Sequence, residues 1–280
     1  MSNVRAEEHS LNPRQFQELC DMVYEITGIV LKESKREMVY RRLMRRIREL
    51  NVPSFSEYFQ LLKTNDSEEL PNFINAITTN LTSFYRESHH FDYLLENFLP
   101  EHEKFTGAKR RLRVWSSACS TGEEPYTLSI TLNKYFGRQI NLWDCKILAT
   151  DLDTNVLDTS KEGVYKLDRI ESLPTKIKKD WFESAEPDYP GHVRVNEILK
   201  DIITFKQLNL LNAWPMKGPF DVIFCRNVLI YFDRPTQEAI LEKFLKILRP
   251  GGALMLGHSE SVAKGYSQLD PVGRTTYIKL

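Results

Sequence analysis

The sequence predicts an α/β fold in three parts: an all-helical N-terminal domain, a doubly wound and mostly parallel sheet, and a small antiparallel β subdomain inserted into the latter. Three observations predict it. The first ninety or so residues carry helix caps and apolar residues at helical spacing, without strand alternation. From Leu112 onward, short apolar runs alternate with amphipathic helical stretches, the βαβ pattern of a parallel sheet. Between Glu162 and Lys200, a stretch too long for an ordinary helix-to-strand connection holds Pro174, Pro187, Pro190 and Gly191 among short apolar alternations.

The helical part opens at Asn12-Pro13, an N-cap followed by proline at the first helical position, and its first helix closes at Gly28. Ser34-Lys35-Arg36-Glu37 and Ser54-Phe55-Ser56-Glu57 both fit a capping box, in which serine and glutamate satisfy each other's orphan amides, so helices are expected from Lys35 to Leu50 and from Phe55 to Leu62. A further amphipathic stretch from Leu70 to Thr79 completes a small bundle. In the second part, strands are expected at Leu112–Trp115, Lys146–Thr150, Ile202–Leu208, Phe220–Cys225, Ala253–Gly257 and Thr275–Leu280. Helices are expected from Glu123, after Thr154, and from Pro235 to Leu248. In this architecture ligands bind outside the carboxyl ends of the strands.

Composition narrows the function classes. The chain has 280 residues, 41% hydrophobic and 27% charged, with zero formal net charge, which excludes a disordered or fibrous chain and gives no bulk electrostatic case for nucleic acid. The four cysteines, Cys20, Cys119, Cys145 and Cys225, lack C-x-x-C spacing and read as reduced thiols. His89-His90 and the other histidines show no metal-ligand spacing, so no metal is expected. Met1 to Ser10 lacks a signal pattern and no apolar run approaches the ~20 residues of a membrane span. The expectation is a soluble cytoplasmic protein without direct membrane insertion.

Three segments carry the chemistry. After the first strand, Ser116-Ser117-Ala118-Cys119-Ser120-Thr121-Gly122-Glu123-Glu124-Pro125 supplies small residues that let a nucleoside approach the backbone, and Thr121 to Glu124 also reads as a capping box. The second strand ends in Ala149-Thr150-Asp151-Leu152-Asp153, where Asp153 suits an N-cap and leaves Asp151 free to accept two ribose hydroxyls. A carboxylate-flanked nucleoside pocket suits a cationic sulfonium donor better than a pyrophosphate. The third segment, Phe220 to Asp233, is a buried strand that turns polar at Arg226-Asn227 and reaches Tyr231. Taken alone, Arg226 reads as an ion-pair member and Tyr231 as a packed aromatic.

Together, Thr79-Asn-Leu-Thr-Ser-Phe-Tyr-Arg-Glu87, Ser120-Thr-Gly-Glu-Glu-Pro-Tyr126, Ala149-Thr-Asp-Leu-Asp153, Phe224-Cys-Arg-Asn-Val-Leu-Ile-Tyr-Phe-Asp233, Leu248-Arg-Pro-Gly-Gly252 and Gly257-His-Ser-Glu260 resemble, in order and spacing, the chemotaxis receptor glutamate methyltransferases, the CheR family. The resemblance runs from about Phe16 to the C-terminus. It implies a Rossmann-like class I methyltransferase sheet, a helical domain over 1–90, a catalytic domain over 91–280, and the β insertion at about 163–200. The glycine-rich turn of methyltransferases in general is replaced by S-T-G-E-E-P, which is the family's own pattern. Carried over by motif, contacts to S-adenosylmethionine, and to its product S-adenosylhomocysteine, come from Asn80, Thr82, Arg86, Glu124, Asp151, Asn209, Leu210, Arg226 and Asn227. Arg86 and Tyr231 are the candidates for orienting the substrate carboxylate. No general base is required, since a glutamate with a pKa near ~4.3 is already ionised at neutral pH.

The second helix points to a partner. At ~100° per residue, Val39, Tyr40, Leu43, Met44, Ile47 and Leu50 share one arc, while Lys35, Arg41, Arg42, Arg45, Arg46 and Arg48 share the other. Such a face can be merely solvated or can meet phosphate, and the resemblance directs it to the acidic methylation helices of chemotaxis receptors rather than to nucleic acid. The insertion resembles the family's docking module for a receptor C-terminal peptide. The implied location is the bacterial cytoplasm, with recruitment to membrane receptors. Two other readings stand beside this one: a hydrolase built on Gly257-His-Ser-Glu-Ser261, which resembles a nucleophile elbow without its last glycine, and a non-catalytic receptor or nucleic-acid adaptor that retains the fold.

Overall fold

A computed structural model describes residues 11–64, 68–262 and 265–280. The reading of Met1 to Ser10 lies outside them. The helical domain consists of α1 (Pro13–Thr27), α2 (Arg36–Glu49), α3 (Phe55–Lys63) and α4 (Glu69–Ile77). Asn12 and Gln15 form a capping box at the start of α1, and Gly28 ends that helix in the left-handed region at φ 72°. One apolar stripe from each helix meets in a shared core: Leu19 and Val23, Val39 and Leu43, Phe55 and Phe59, Phe73 and Ile77.

The capping box expected at Ser34 does not form. A 3₁₀ turn at Glu33–Lys35 leads straight into α2, so the backbone is already helical at Lys35 and Ser34 never occupies an extended N-cap. At Ser54 the serine hydroxyl does accept the Glu57 amide, at 3.2 Å. The basic face of α2 is also narrower than the helical wheel suggests. Arg42 turns inward to donate to the Ala76 and Thr78 carbonyls at the end of α4, at 3.2 and 2.6 Å. Arg46 grips the buried Glu69 through two nitrogens, with one bond at 2.9 Å. Lys35, Arg41, Arg45 and Arg48 remain exposed.

A helical run not assigned from the sequence follows: α5 (His89–Tyr93), a π-helical turn at Leu94–Phe98, and α6 (Leu99–Thr106). Its Phe91, Leu94, Phe98 and Leu99 pack on Leu112, Val114, Val222 and Met255, so this run belongs to the core of the sheet domain.

The sheet domain continues with β1 (Arg111–Ser116), α7 (Glu123–Phe136), β2 (Asp144–Asp151) and α8 (Thr154–Glu162). The insertion comprises β3 (Val164–Lys166), α9 (Thr175–Trp181), β4 (Phe182–Ser184) and β5 (His192–Val195), so the expected β subdomain also holds a helix. The chain then returns as β6 (Ile203–Gln207), β7 (Phe220–Cys225), α10 (Arg234–Ile247), β8 (Leu248–Leu256), β9 (Leu269–Gly273) and β10 (Thr276–Lys279). The main sheet runs β6-β2-β1-β7-β8-β10-β9, parallel except for β10, which is antiparallel to both neighbours. β9 was not expected from the sequence, because Leu269-Asp-Pro-Val-Gly273 carries a proline and only Leu269 is buried. The insertion forms a separate antiparallel sheet, β3-β5-β4.

The strand order reverses between β1 and β7, which places the crevice at their carboxyl ends. Register aligns Ser116 with Ala149 of β2 and with Phe224 of β7, so the three following loops leave the sheet level with one another. The helical domain covers this edge. Ile29 bridges Phe232, the Val30 amide donates to the Tyr231 carbonyl at 2.8 Å, and Tyr24 donates to Asp233 at 2.9 Å. Among the described residues no helix is long and apolar enough to cross a membrane.

Candidate functional site

Between the helical domain and the sheet edge lies a cavity of about 220 Å³. Asn80, Thr82, Arg86, Glu124, Asp151, Asn209, Leu210, Arg226, Asn227 and Tyr231 all line it, together with Lys35 from the basic helix. Arg41, Arg42, Arg45, Arg46 and Arg48 are not part of this lining.

Asp151 ends β2. Its two carboxylate oxygens accept the Ser120 and Asp153 amides at 2.8 and 3.0 Å, which fixes the group and leaves further lone pairs for a ligand. Burial pushes its pKa up to about 6, against the opposing pull of the Asp153 and Ser120 amides. Asp153 caps α8 as expected, accepting from Asn155 and Val156 at 2.9 and 3.3 Å. Its second oxygen accepts from Thr78 at 2.5 Å and Asn80 at 2.7 Å, so the Asn80 amide nitrogen is committed to holding the Thr78–Glu87 loop against the sheet.

Arg226 leaves the end of β7 with its side chain only 2% exposed. It donates to Glu124 at 3.0 Å and to the Arg86 carbonyl, and it lies 3.3 Å from Glu87. The Phe91 and Phe224 rings sit beneath the guanidinium, with centroids at 5.6 and 5.8 Å. Arg226 therefore holds three walls of the cavity in place. Glu124 also accepts the Ser116 hydroxyl at 2.7 Å, and burial raises its pKa even though Arg226 and Ser116 pull it down. The capping box read at Thr121–Glu124 is absent: Gly122, at φ 98°, is the N-cap of α7, and the Thr121 hydroxyl donates to Glu123 instead. A Cβ at Gly122 would come within 2.7 Å of Ser160, so the turn admits only glycine.

Asn209 bridges the two domains, donating to the Ile26 carbonyl at 2.8 Å and accepting the Leu211 amide at 2.9 Å. Asn227 donates to Glu87 at 3.2 Å. Among the predicted contacts, then, Asn80, Asn209, Arg226 and Asn227 each make bonds that build the walls, while Thr82, Arg86, Asp151 and Tyr231 line the space between. Arg86 donates to the Leu81 carbonyl at 2.7 Å. Burial raises the pKa of Tyr231, with Arg86 pulling it back, so the phenol is protonated at neutral pH. Tyr85, Glu87, Ser120 and Asn227 all take positive φ, between 51° and 56°, a concentration of strained backbone around one cavity.

Two groups without a role in the sequence reading organise the site. Glu260 is buried and accepts the Gly257, Asn227 and Ile230 amides at 2.7, 2.8 and 3.3 Å, which shapes the loop leading to Tyr231. Glu87 sits between Arg226, Asn227 and His258. Burial alone would raise its pKa, but the His258 hydrogen bond, Arg226 and Asn227 hold it at about 2. Glu87 gives no sequence signal of such pairing, because these partners lie more than 130 positions away.

The ligand atoms of Glu87, His89 and His90 lie within 4.8 Å of one another, a grouping that sequence spacing did not suggest. Arg226 already flanks the Glu87 oxygen on that side, and burial together with Arg226 lowers the His90 pKa to about 3. The serine of the hydrolase reading, Ser259, is exposed, and the neighbouring His258 donates to Glu87 at 2.9 Å.

The donor set fits S-adenosylmethionine. The fixed Asp151 carboxylate suits ribose hydroxyls, the apolar Ile29, Leu152, Leu208 and Leu210 suit a planar base, and these groups line one cavity.

Comparison with known proteins shows the family of the chain. Residues 14–78 match the model of the CheR methyltransferase all-alpha domain, and residues 80–278 match that of the CheR methyltransferase SAM binding domain. Chemotaxis protein methyltransferase 2 of Pseudomonas aeruginosa is 43% identical over 97% of the chain and 95% of its own length. The chemotaxis protein methyltransferase of Salmonella typhimurium is 42% identical, over 96% of this chain and 91% of that protein. That of Escherichia coli is 40% identical, over 97% and 92%. The helical domain, the sheet with its β insertion and the cavity they enclose are thus those of a chain that belongs to the CheR family of S-adenosylmethionine-dependent chemotaxis methyltransferases.

Proposed function

We propose that this methyltransferase esterifies glutamate side chains on the methylation helices of chemotaxis receptors, with Asp151 holding the cofactor ribose and Arg86 and Tyr231 orienting the acceptor carboxylate. The observation that carries this reading is the convergence of Asp151, Arg86 and Tyr231 on one cavity at the switch point of the sheet.

Bound S-adenosylmethionine supplies an electrophilic methyl group on a sulfonium. The chain's residues supply position and dryness. The acceptor carboxylate arrives ionised, so no residue has to remove a proton. Tyr231, whose phenol is protonated at neutral pH, donates a hydrogen bond that aims one carboxylate oxygen. Arg86 is tied by one nitrogen to Leu81, which favours an orienting contact over a full bidentate clamp that would stabilise the anion and blunt its nucleophilicity. Ile29, Leu210 and Phe232 help to exclude water from the reacting atoms.

Substrate docking follows from charge and edges. Lys35, Arg41, Arg45 and Arg48 present a basic face for an acidic helix, and Lys35 extends that face to the cavity mouth. In the β3-β5-β4 sheet, β3 and β4 are edge strands to which a receptor C-terminal peptide can add. The reading places the protein in the bacterial cytoplasm, recruited to membrane receptors, without nucleic acid or a metal.

The test is to incubate the chain with methyl-labelled cofactor and receptor-containing membranes and to count label released as methanol by mild base. Base-labile label that disappears when the target glutamates are changed to alanine is the expected result. Absence of label, with cofactor binding confirmed, would return the protein to a binding adaptor.

A further inference from the structure

The inserted subdomain reaches the loop that lines the cavity through a residue that no sequence motif marked. Arg169 stands in a 3₁₀ turn (Leu167–Ile170) after β3, and one of its terminal nitrogens donates both to the Thr82 carbonyl, at 2.8 Å, and to the Glu123 carboxylate. Glu123 is fully buried at the start of α7, beside Glu124, and its other oxygen accepts the Thr121 hydroxyl at 2.6 Å. Phe84, two residues beyond Thr82, is wedged edge-on between Tyr165 of β3 and Phe182 of β4, with ring centroids 5.1 Å from each. Tyr165 in turn donates to the Thr121 carbonyl at 2.7 Å. The loop that carries Thr82 and Arg86 is therefore fixed from two sides: by Asp153 and Ser120 of the sheet edge, and by Arg169 and the Phe84 pocket of the insertion.

We infer that Arg169 is a positioning residue for methyl transfer, tying the Thr82 carbonyl to the buried Glu123 and so setting the loop that presents Thr82 and Arg86 to the cavity. It rests on the reading of the cavity as the methyl-donor site. The insertion is then part of the catalytic unit as well as a surface for partners, because displacement of its 3₁₀ turn moves the loop whose Thr82 and Arg86 line the cavity. An arginine suits the role: one planar nitrogen carries two N–H groups, and two acceptors sit within its reach.

Removing Arg169 has two separable consequences. It leaves a buried carboxylate without its cation, which lowers stability, and it frees the Thr82 carbonyl, which lowers turnover. Glu123→Gln in the same background removes the stranded charge and cannot restore the tie to Thr82. The experiment measures the thermal midpoint, the dissociation constant for S-adenosylhomocysteine by calorimetry, and kcat at saturating cofactor and receptor, in the parent chain, in Arg169→Ala and in Arg169→Ala/Glu123→Gln. The expected result is that kcat falls about tenfold or more in both variants, that KM for receptor stays at the parent value, and that the double variant regains most of the lost thermal midpoint without regaining kcat. Recovery of kcat in step with stability would show Arg169 to be structural only and overturn the inference. A parent chain that does not bind S-adenosylhomocysteine would instead sink the reading of the cavity itself.

Discussion

Asp151 is held by two backbone amides inside a buried wall, and this arrangement gives it both a fixed direction and a pKa near the physiological range. Desolvation raises the group to about 6, so it is ionised above that pH and neutral below it. If the ionised form accepts the ribose hydroxyls, the dissociation constant for S-adenosylhomocysteine rises as pH falls through about 6, and binding near that pH releases protons from Asp151. Calorimetry in two buffers of different ionisation enthalpy checks both points. Asp151→Asn removes the charge at every pH, weakens binding by about 1–3 kcal/mol, and flattens the profile. The Arg226 neighbourhood works differently. Its guanidinium pairs with Glu124, which lines the cavity, and with Glu87, and its packing against Phe91 and Phe224 explains why a charged side chain can end a wholly buried strand.

At the scale of the element, α2 shows how a uniform stretch of arginines divides by function. Arg46 and Glu69 form a pair in which the carboxylate is 5% exposed, and Tyr58 adds a hydrogen bond at 2.8 Å, so the pair joins α2, α3 and α4. Arg46→Ala leaves Glu69 buried without its cation and lowers stability by about 3 kcal/mol, read from urea unfolding. Reversing Arg41, Arg45 and Arg48 to glutamate touches only exposed positions and changes stability little. It raises KM for receptor strongly while the cofactor dissociation constant holds, and a change confined to the cofactor constant would reject the docking role of this face. The helical wheel assigns Lys35, Arg41, Arg42, Arg45, Arg46 and Arg48 to one arc, but a wheel cannot tell which part of that arc meets α4. The capping motifs show the same limit. Asn12 and Asp153 cap as their local sequence suggests, whereas Ser34 and Thr121 do not, because the preceding backbone had already turned helical or passed through a left-handed glycine.

At the scale of the whole molecule, the cavity exists only because the helical domain closes over the sheet edge. Gly28 is the turn at that junction: its φ is 72°, and a Cβ there would lie 2.9 Å from Leu211. Gly28→Ala therefore destabilises the fold by about 1–2 kcal/mol and weakens cofactor binding as well, since Ile29 and Val30 line the cavity and pair with Tyr231 and Phe232. A Tm loss without any change in cofactor affinity would show that the junction does not shape the site. The resemblance to the CheR family pointed to residues that line the cavity, whereas the sequence by itself determined the order of helical domain, doubly wound sheet and β insertion, and the strands β1, β2, β6, β7, β8 and β10. These depend on apolar period, turn chemistry and strand ends, all set by neighbours a few positions away. Tertiary structure alone decided which of the lining residues bond to one another to build the walls and which line the space between. Arg226 finds Glu124, Glu260 finds Asn227, and Arg169 finds Thr82, across 102, 33 and 87 positions respectively. Such pairings follow from the strand order and from the packing of one domain on another, and no local pattern encodes them.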